Sequence, residues 1–252
     1  GFPAANISVA EPADAARKAL ATSLPGITIC ADNNSAAAAA DCVVFAVKPQ
    51  LMPSVCRALG ATVQTARPLI LSIAAGVRTV DIETWLGTRL GVIRVMPNQP
   101  ALIRRGISGL YANERAGTAD IDYATRIMSA VGKVVTLHDE ALIDTVTAVS
   151  GSGPAYFFLL IDMLAKSATE LGIAPALAET LAIETARGAA ELAASESLGM
   201  DEMIARVRSP GGTTAAALDS LDAAGVRDTF ARAIAAAHDR AVVLADEAHR
   251  NN

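Results

Sequence analysis

The run Cys42-Val43-Val44-Phe45-Ala46-Val47 decides the fold. Unbroken apolar character leaves no face for water, as expected of a strand covered on both sides inside a parallel sheet. The residues that follow, Lys48-Pro49, end the run. Reading outward from it gives a repeating rhythm. Before it come a strand over 7–10, a helix over 11–24 opened by Glu11-Pro12, a strand over 27–30 and a short alanine helix from Asp32. After it come a helix over 51–59, a strand over 69–74, a helix over 79–86 and a strand over 92–96. An apolar stretch over 107–111, a helix over 119–131 and a strand over 133–137 complete the series. Strands alternating with helices predict an α/β fold, a doubly wound parallel sheet with right-handed crossovers.

After Asp139 the strand pattern stops and only helical periodicity remains, over 140–149, 155–171, 175–195, 201–207, 214–221 and 226–249. The expected organisation is a dinucleotide-binding-type domain over 1–138 and an all-helical domain over 139–252. Apolar stripes in the second half are broad enough to leave large patches exposed on a monomer, which predicts a homodimer through the C-terminal helices.

Composition narrows the function. The chain is 52% hydrophobic and only 4% aromatic, with alanine dominant, which favours closely packed helices over an aromatic-rich β sandwich. A formal charge of −5 and a pI near 5.2 argue against a nucleic-acid surface, which needs a basic stripe. Cys30, Cys42 and Cys56 have no C-x-x-C spacing and read as reduced thiols of a cytoplasmic protein. His138, His238 and His249 are scattered, so no metal site is expected. No apolar run reads as long enough to span a bilayer, and no signal-like segment follows Gly1, so no membrane partner is expected.

Two Gly-containing runs carry the chemistry. In Ser209-Pro210-Gly211-Gly212-Thr213-Thr214, Pro210 keeps its predecessor out of the helical region, and the glycines allow backbone angles closed to other residues. Thr213 or Thr214 then opens a helix whose first N–H groups point outward, a nest suited to a small carboxylate. The plainer reading is a turn with a threonine cap. The second run, Ser150-Gly151-Ser152-Gly153-Pro154-Ala155-Tyr156, precedes a long apolar helix.

Ser209 to Leu221 resembles the signature of the pyrroline-5-carboxylate reductase family. Ala46-Val47-Lys48-Pro49-Gln50, Ser72 to Val77, Arg94-Val95-Met96-Pro97-Asn98-Gln99-Pro100 and Val146 to Tyr156 match further family motifs in family order. The resemblance implies a Rossmann-like domain followed by a helical dimerisation domain. It implies NADPH- or NADH-dependent reduction of 1-pyrroline-5-carboxylate to L-proline, in a cytoplasmic homodimer or a larger homo-oligomer. Val47, Lys48, Pro49, Ala75, Gly76, Met96, Pro97 and Asn98 would line the nicotinamide side, and Asn33 the adenosine half. Ser209, Gly211, Gly212 and Thr213 would hold the substrate carboxylate, and Thr214 would hydrogen-bond the ring nitrogen. Glu196 aligns, across a one-residue gap, with a glutamate near the substrate ring, and reads equally as a solvated helix-end residue.

One family piece has no counterpart. The run at 7–10 matches the family's second strand, and no G-x-G-x-x-G turn occurs in the chain. The first strand and its glycine loop are therefore expected to lie outside this sequence. Glu11 would accept a ribose 2′-hydroxyl, whereas Arg17 and Lys18 would suit a 2′-phosphate, so the choice between NADH and NADPH stays open. Two alternatives compete: a non-catalytic oligomerising homologue lacking the cofactor loop, and a β-hydroxyacid-type dehydrogenase. Against the second, no lysine follows the Ser150–Pro154 turn before Lys166.

Overall fold

The computed structural model describes residues 2–250. They form two compact units, residues up to 151 together with those from 237 onward, and residues 152–236.

The first unit holds strands β1 (Ser8–Ala10), β2 (Thr28–Cys30), β3 (Cys42–Phe45), β4 (Leu69–Ser72), β5 (Val92–Met96), β6 (Gly106–Ala112) and β7 (Gly132–Leu137). Between and after them run α1 (Asp14–Ser23), α2 (Asn33–Ala37), α3 (Met52–Ala66), α4 (Thr79–Leu86), α5 (Thr118–Met128) and α6 (Leu142–Val146). The strands are divided between two sheets, β1-β2 and β3-β4-β5-β6-β7.

Strands β4 and β5 are buried on both faces, which is why they read as largely apolar. Strand β3, first in this sheet, leaves Val44 46% exposed, so the run at 42–47 is not covered on both sides as its apolar character predicts. Ile70 and Val92 pack with Met52, Leu59, Val63, Ile82 and Leu86 from α3 and α4. On the opposite face Leu71, Ile93, Val95 and Leu110 pack with Ala124 and Met128 of α5. Gly60 lets α3 lie against α4, since a Cβ there would sit 3.0 Å from the Leu86 carbonyl oxygen.

Three expectations shift. β6 runs antiparallel to β5, although β7 is again parallel to β6. The connection over 97–105 is shorter than the dozen or so residues a parallel crossover needs, so the chain turns back. Helix α1 begins at Asp14 rather than Glu11, because the Glu11 carboxylate accepts the Ala13 N–H at 2.8 Å and holds that segment outside the helix. The division between units falls at 151/152 rather than 138/139, because α6 packs on β5 and β6 and belongs with the sheet.

The second unit contains α7 (Gly153–Glu170), α8 (Pro175–Ser195), α9 (Met200–Val207), α10 (Thr213–Ala223) and the start of α11 (Val226–Arg250). A π-helical turn, Thr147–Gly151, links α6 to α7 without breaking the helical path. The resulting run, Leu142–Glu170, has 29 residues and mean hydropathy 1.3, enough by length and composition to cross a bilayer. This corrects the expectation that no run reaches that length: the glycines at 151 and 153 do not interrupt it. Its α7 part exposes Phe157, Phe158, Leu159, Met163 and Leu164 by more than half each. A groove of about 790 Å³ lies between α7 and α8, lined by Phe158, Ile161, Ala165 and Ile183 among others. It contains none of the sequence-predicted site residues.

Candidate active site

The sheet register gathers one group of predicted residues. Phe45 lies opposite Ser72, and Ser72 opposite Arg94, in parallel pairing. Val47-Lys48-Pro49, Ala75-Gly76 and Met96-Pro97-Asn98 therefore leave the sheet at one edge, the carboxyl ends of adjacent strands where ligands of such sheets bind. Ala46, Lys48 and Ala75 are exposed there. Lys48 forms no ion pair among the described residues. Gly76 has φ of +71°, a left-handed value that disfavours any side chain.

Asn98 is more committed than its sequence reading suggests. Its amide nitrogen donates to the Ser150 carbonyl at 3.1 Å, and its oxygen accepts the Ile107 N–H at 3.0 Å. It thereby ties the π-helical turn and the start of β6 to the end of β5. Gly151 meets Met96 in the same place, where a Cβ would come within 2.6 Å of the Met96 methyl carbon.

Asn33 opens α2, but the cap is Asp32, whose carboxylate accepts the Ser35 N–H at 2.9 Å and its hydroxyl at 2.6 Å. These bonds hold Asp32 below the usual carboxylate range, the hydroxyl contributing most. The Asn33 amide is left without a hydrogen-bond partner among the described residues. At the end of β1, Arg17 donates to the carbonyls of Glu11 and Pro12 and pairs with Asp14, and Lys18 also pairs with Asp14. Both candidate phosphate-binding cations are thus already engaged.

A buried ionic cluster behind this edge escaped the sequence reading. Arg94, 2% exposed on central strand β5, lies 3.4 Å from Glu140 and 3.4 Å from Asp144. Glu140 also accepts the Thr79 N–H at 2.8 Å and its hydroxyl at 2.9 Å, capping the first turn of α4. Burial, reinforced by Glu140, raises the Tyr111 phenol, whose residue pairs with Arg94 across the sheet. The signal available was a lone arginine in the apolar strand Val92-Ile93-Arg94-Val95-Met96.

The remaining predicted residues lie in the second unit. Glu196 follows α8 in an extended conformation and is exposed. Ser209 to Gly212 form the turn before α10, with Gly211 at φ of +68° and the Gly212 N–H bonded to the Ser209 carbonyl at 3.0 Å. The first backbone bond into α10 comes from Ala216, to the Gly212 carbonyl. No side chain caps the helix. The N–H groups of Thr213, Thr214 and Ala215 and both threonine hydroxyls find no partner among the described residues. An open helix mouth of this kind attracts an anion through its N–H groups and dipole.

The strand-end residues of the first unit fit the nicotinamide half of a dinucleotide: Ala46 and Ala75 are small and exposed, and Lys48 is the cation beside them. The turn that would hold the pyrophosphate is not among the 252 residues.

Comparison with known proteins bears on the family and the fold. The chain is 44% identical over 98% of its length to the pyrroline-5-carboxylate reductase of Pseudomonas aeruginosa, covering 90% of that protein. It belongs to the pyrroline-5-carboxylate reductase family. Identity to the reductase of Vibrio alginolyticus is 38% over 96% of the chain and 88% of that protein. A family model described as pyrroline-5-carboxylate reductase dimerisation matches residues 140–244, and one described as NADP oxidoreductase, coenzyme F420-dependent, matches residues 1–76. The Coxiella burnetii pyrroline-5-carboxylate reductase structure superposes with a TM-score of 0.90 at 37% identity, covering 94% of this chain and 88% of that one. The Plasmodium falciparum enzyme with NADP bound gives 0.79 at 27% identity, covering 87% and 83%. These relatives favour neither a β-hydroxyacid-type dehydrogenase nor a non-catalytic scaffold.

Proposed function

We infer that this chain is an NAD(P)H-dependent oxidoreductase that reduces 1-pyrroline-5-carboxylate to L-proline, the last step of proline biosynthesis. The observation that carries the chemical assignment is the open mouth of α10, three N–H groups and two hydroxyls beside a glycine turn. Similarity to named reductases along nearly the whole chain supports the same reading. The Ser209–Thr213 segment holds the substrate carboxylate, replacing water with fixed donors. The Thr214 hydroxyl orients the ring nitrogen or relays a proton to it through water, being too weak an acid to protonate an imine alone. The bound dinucleotide supplies the hydride that reduces the C=N carbon. Val47, Lys48, Pro49, Ala75, Gly76, Met96 and Pro97 receive its nicotinamide side, Asn98 holds the edge in shape, and Asn33 offers its free amide to the adenosine half. Glu196 is a solvent-exposed neighbour of the substrate segment in sequence, and we assign it a supporting contact to the ring.

Thr214→Ala should lower turnover by roughly tenfold to a thousandfold, the range for losing one positioned polar group. Unchanged turnover would show the ring nitrogen to be elsewhere.

The apolar face of α7 supports assembly as a homodimer through the C-terminal helices, in the cytoplasm. Sedimentation equilibrium should return the dimer mass or a multiple of it; a monomer at micromolar concentration would overturn that assembly.

A further inference from the structure

The last turns of α11 end on the loop that leads from β4 to α4. Gly76 sits there with its left-handed backbone, and a Cβ on it would lie 3.5 Å from Leu244 and 3.6 Å from the Ala245 nitrogen. Ala245 is fully buried and Ala241 is 6% exposed, so small side chains bring the α11 backbone close to this part of the unit. Two polar pairs flank that contact. Arg78 Nη2 lies 2.5 Å from Asp246 Oδ1, and Asp81 Oδ1, on a fully buried residue, lies 2.5 Å from His249 Nδ1. Both pairs span 168 residues, so a step of three residues from the cap of α4 into its first turn matches a step of three residues along α11. From the other side Glu140 caps Thr79. The loop over 73–79 is therefore gripped between two anchors far away in sequence.

We propose that the C-terminal turn of α11 is a positioning element for the cofactor edge, with Asp246 and His249 holding the Ala74–Gly76 loop in the shape that receives the nicotinamide. The geometry gives this a physical basis. A glycine with φ of +71° has many alternative conformations, and a loop containing one keeps a single shape only when its surroundings fix it. Asp246 and His249 touch Arg78 and Asp81 rather than residues 74–76, so their effect passes through those two residues and the α11 backbone. The inference rests on the reading that this loop lines the nicotinamide side.

The test is the full chain carrying Asp246→Asn and His249→Asn, compared with the unmodified protein. Hydrogen exchange of residues 73–79, read without cofactor, should quicken by roughly threefold to tenfold, with Ser209–Thr214 unaffected. The dissociation constant for NADPH or NADH, read by calorimetry, should rise by a similar factor, while the KM for pyrroline-5-carboxylate stays within about twofold. Should this variant fold poorly, His249→Asn with Asp81→Asn removes the buried carboxylate along with its partner and should give the same selective loss of cofactor affinity. Unchanged exchange over 73–79, or faster exchange with unchanged cofactor affinity, overturns the proposal. Uniformly faster exchange across the strands, with both ligands weakened alike, also overturns it, since that marks general loosening. An unmodified protein in which bound dinucleotide leaves exchange over 73–79 unslowed fails the reading of the loop itself, whereas slowing and affinity that the variant shares with the unmodified protein fail only the clamp.

Discussion

Gly211 has φ of +68°, and a Cβ built on it would meet no atom within 4 Å. A substitution there costs backbone strain alone, on the order of 1–3 kcal/mol for a β-branched residue forced into the left-handed region. Gly211→Val should therefore raise the KM for pyrroline-5-carboxylate by roughly tenfold to a hundredfold while leaving cofactor affinity in place. Gly211→Asn should do much less, because asparagine tolerates that conformation. Equal damage from both, in steady-state kinetics with each ligand varied in turn, would point to a clash rather than to strain. Gly212 differs. A Cβ there would collide with the Ser209 hydroxyl, so a substitution must displace a side chain of the substrate segment. At this scale the sequence was informative where glycine and proline punctuate it. It was silent where a side chain meets a remote partner: nothing local to His249 announces Asp81, and Asn33 shared the helix start with the true cap, Asp32.

The elements follow their local signals with instructive exceptions. Strands β4 and β5 were legible because burial on both faces removes polar residues from them, Arg94 excepted; β3 is equally apolar although its Val44 is exposed. Strand direction was not, since a strand's composition is the same either way; only the short 97–105 connection requires β6 to reverse. Helix α3 extends well past its expected end because Gly60 is used for close contact with α4 rather than as a stop. Buried Arg94 joins β5 to α6 and, through Glu140, to α4; such a cluster fixes one arrangement of elements because separating its charges leaves them buried without partners. The thiols of Cys42 and Cys56, which the sequence marked as reduced, are pushed up to about 11 and about 12 by burial. They remain neutral near pH 7 and act as packing groups within the sheet unit.

For the whole molecule, the alternation of strands and helices, the change to helices alone and the family assignment were all readable from the chain. The partition of helices between units was not. Helix α6 and the end of α11 belong with the sheet by contact, which periodicity cannot reveal. The apolar run Leu142–Glu170 likewise looked interrupted because the glycines around Ser152 suggested a break that the π-helical turn bridges. The substrate assignment turns on carboxylate binding at the mouth of α10. A crystal structure of the full chain with L-proline tests this most directly. The carboxylate is predicted to lie within hydrogen-bonding distance of the N–H groups of Thr213 to Ala215, with the ring nitrogen near the Thr214 hydroxyl. L-proline bound elsewhere, with that helix mouth filled only by water, would contradict it.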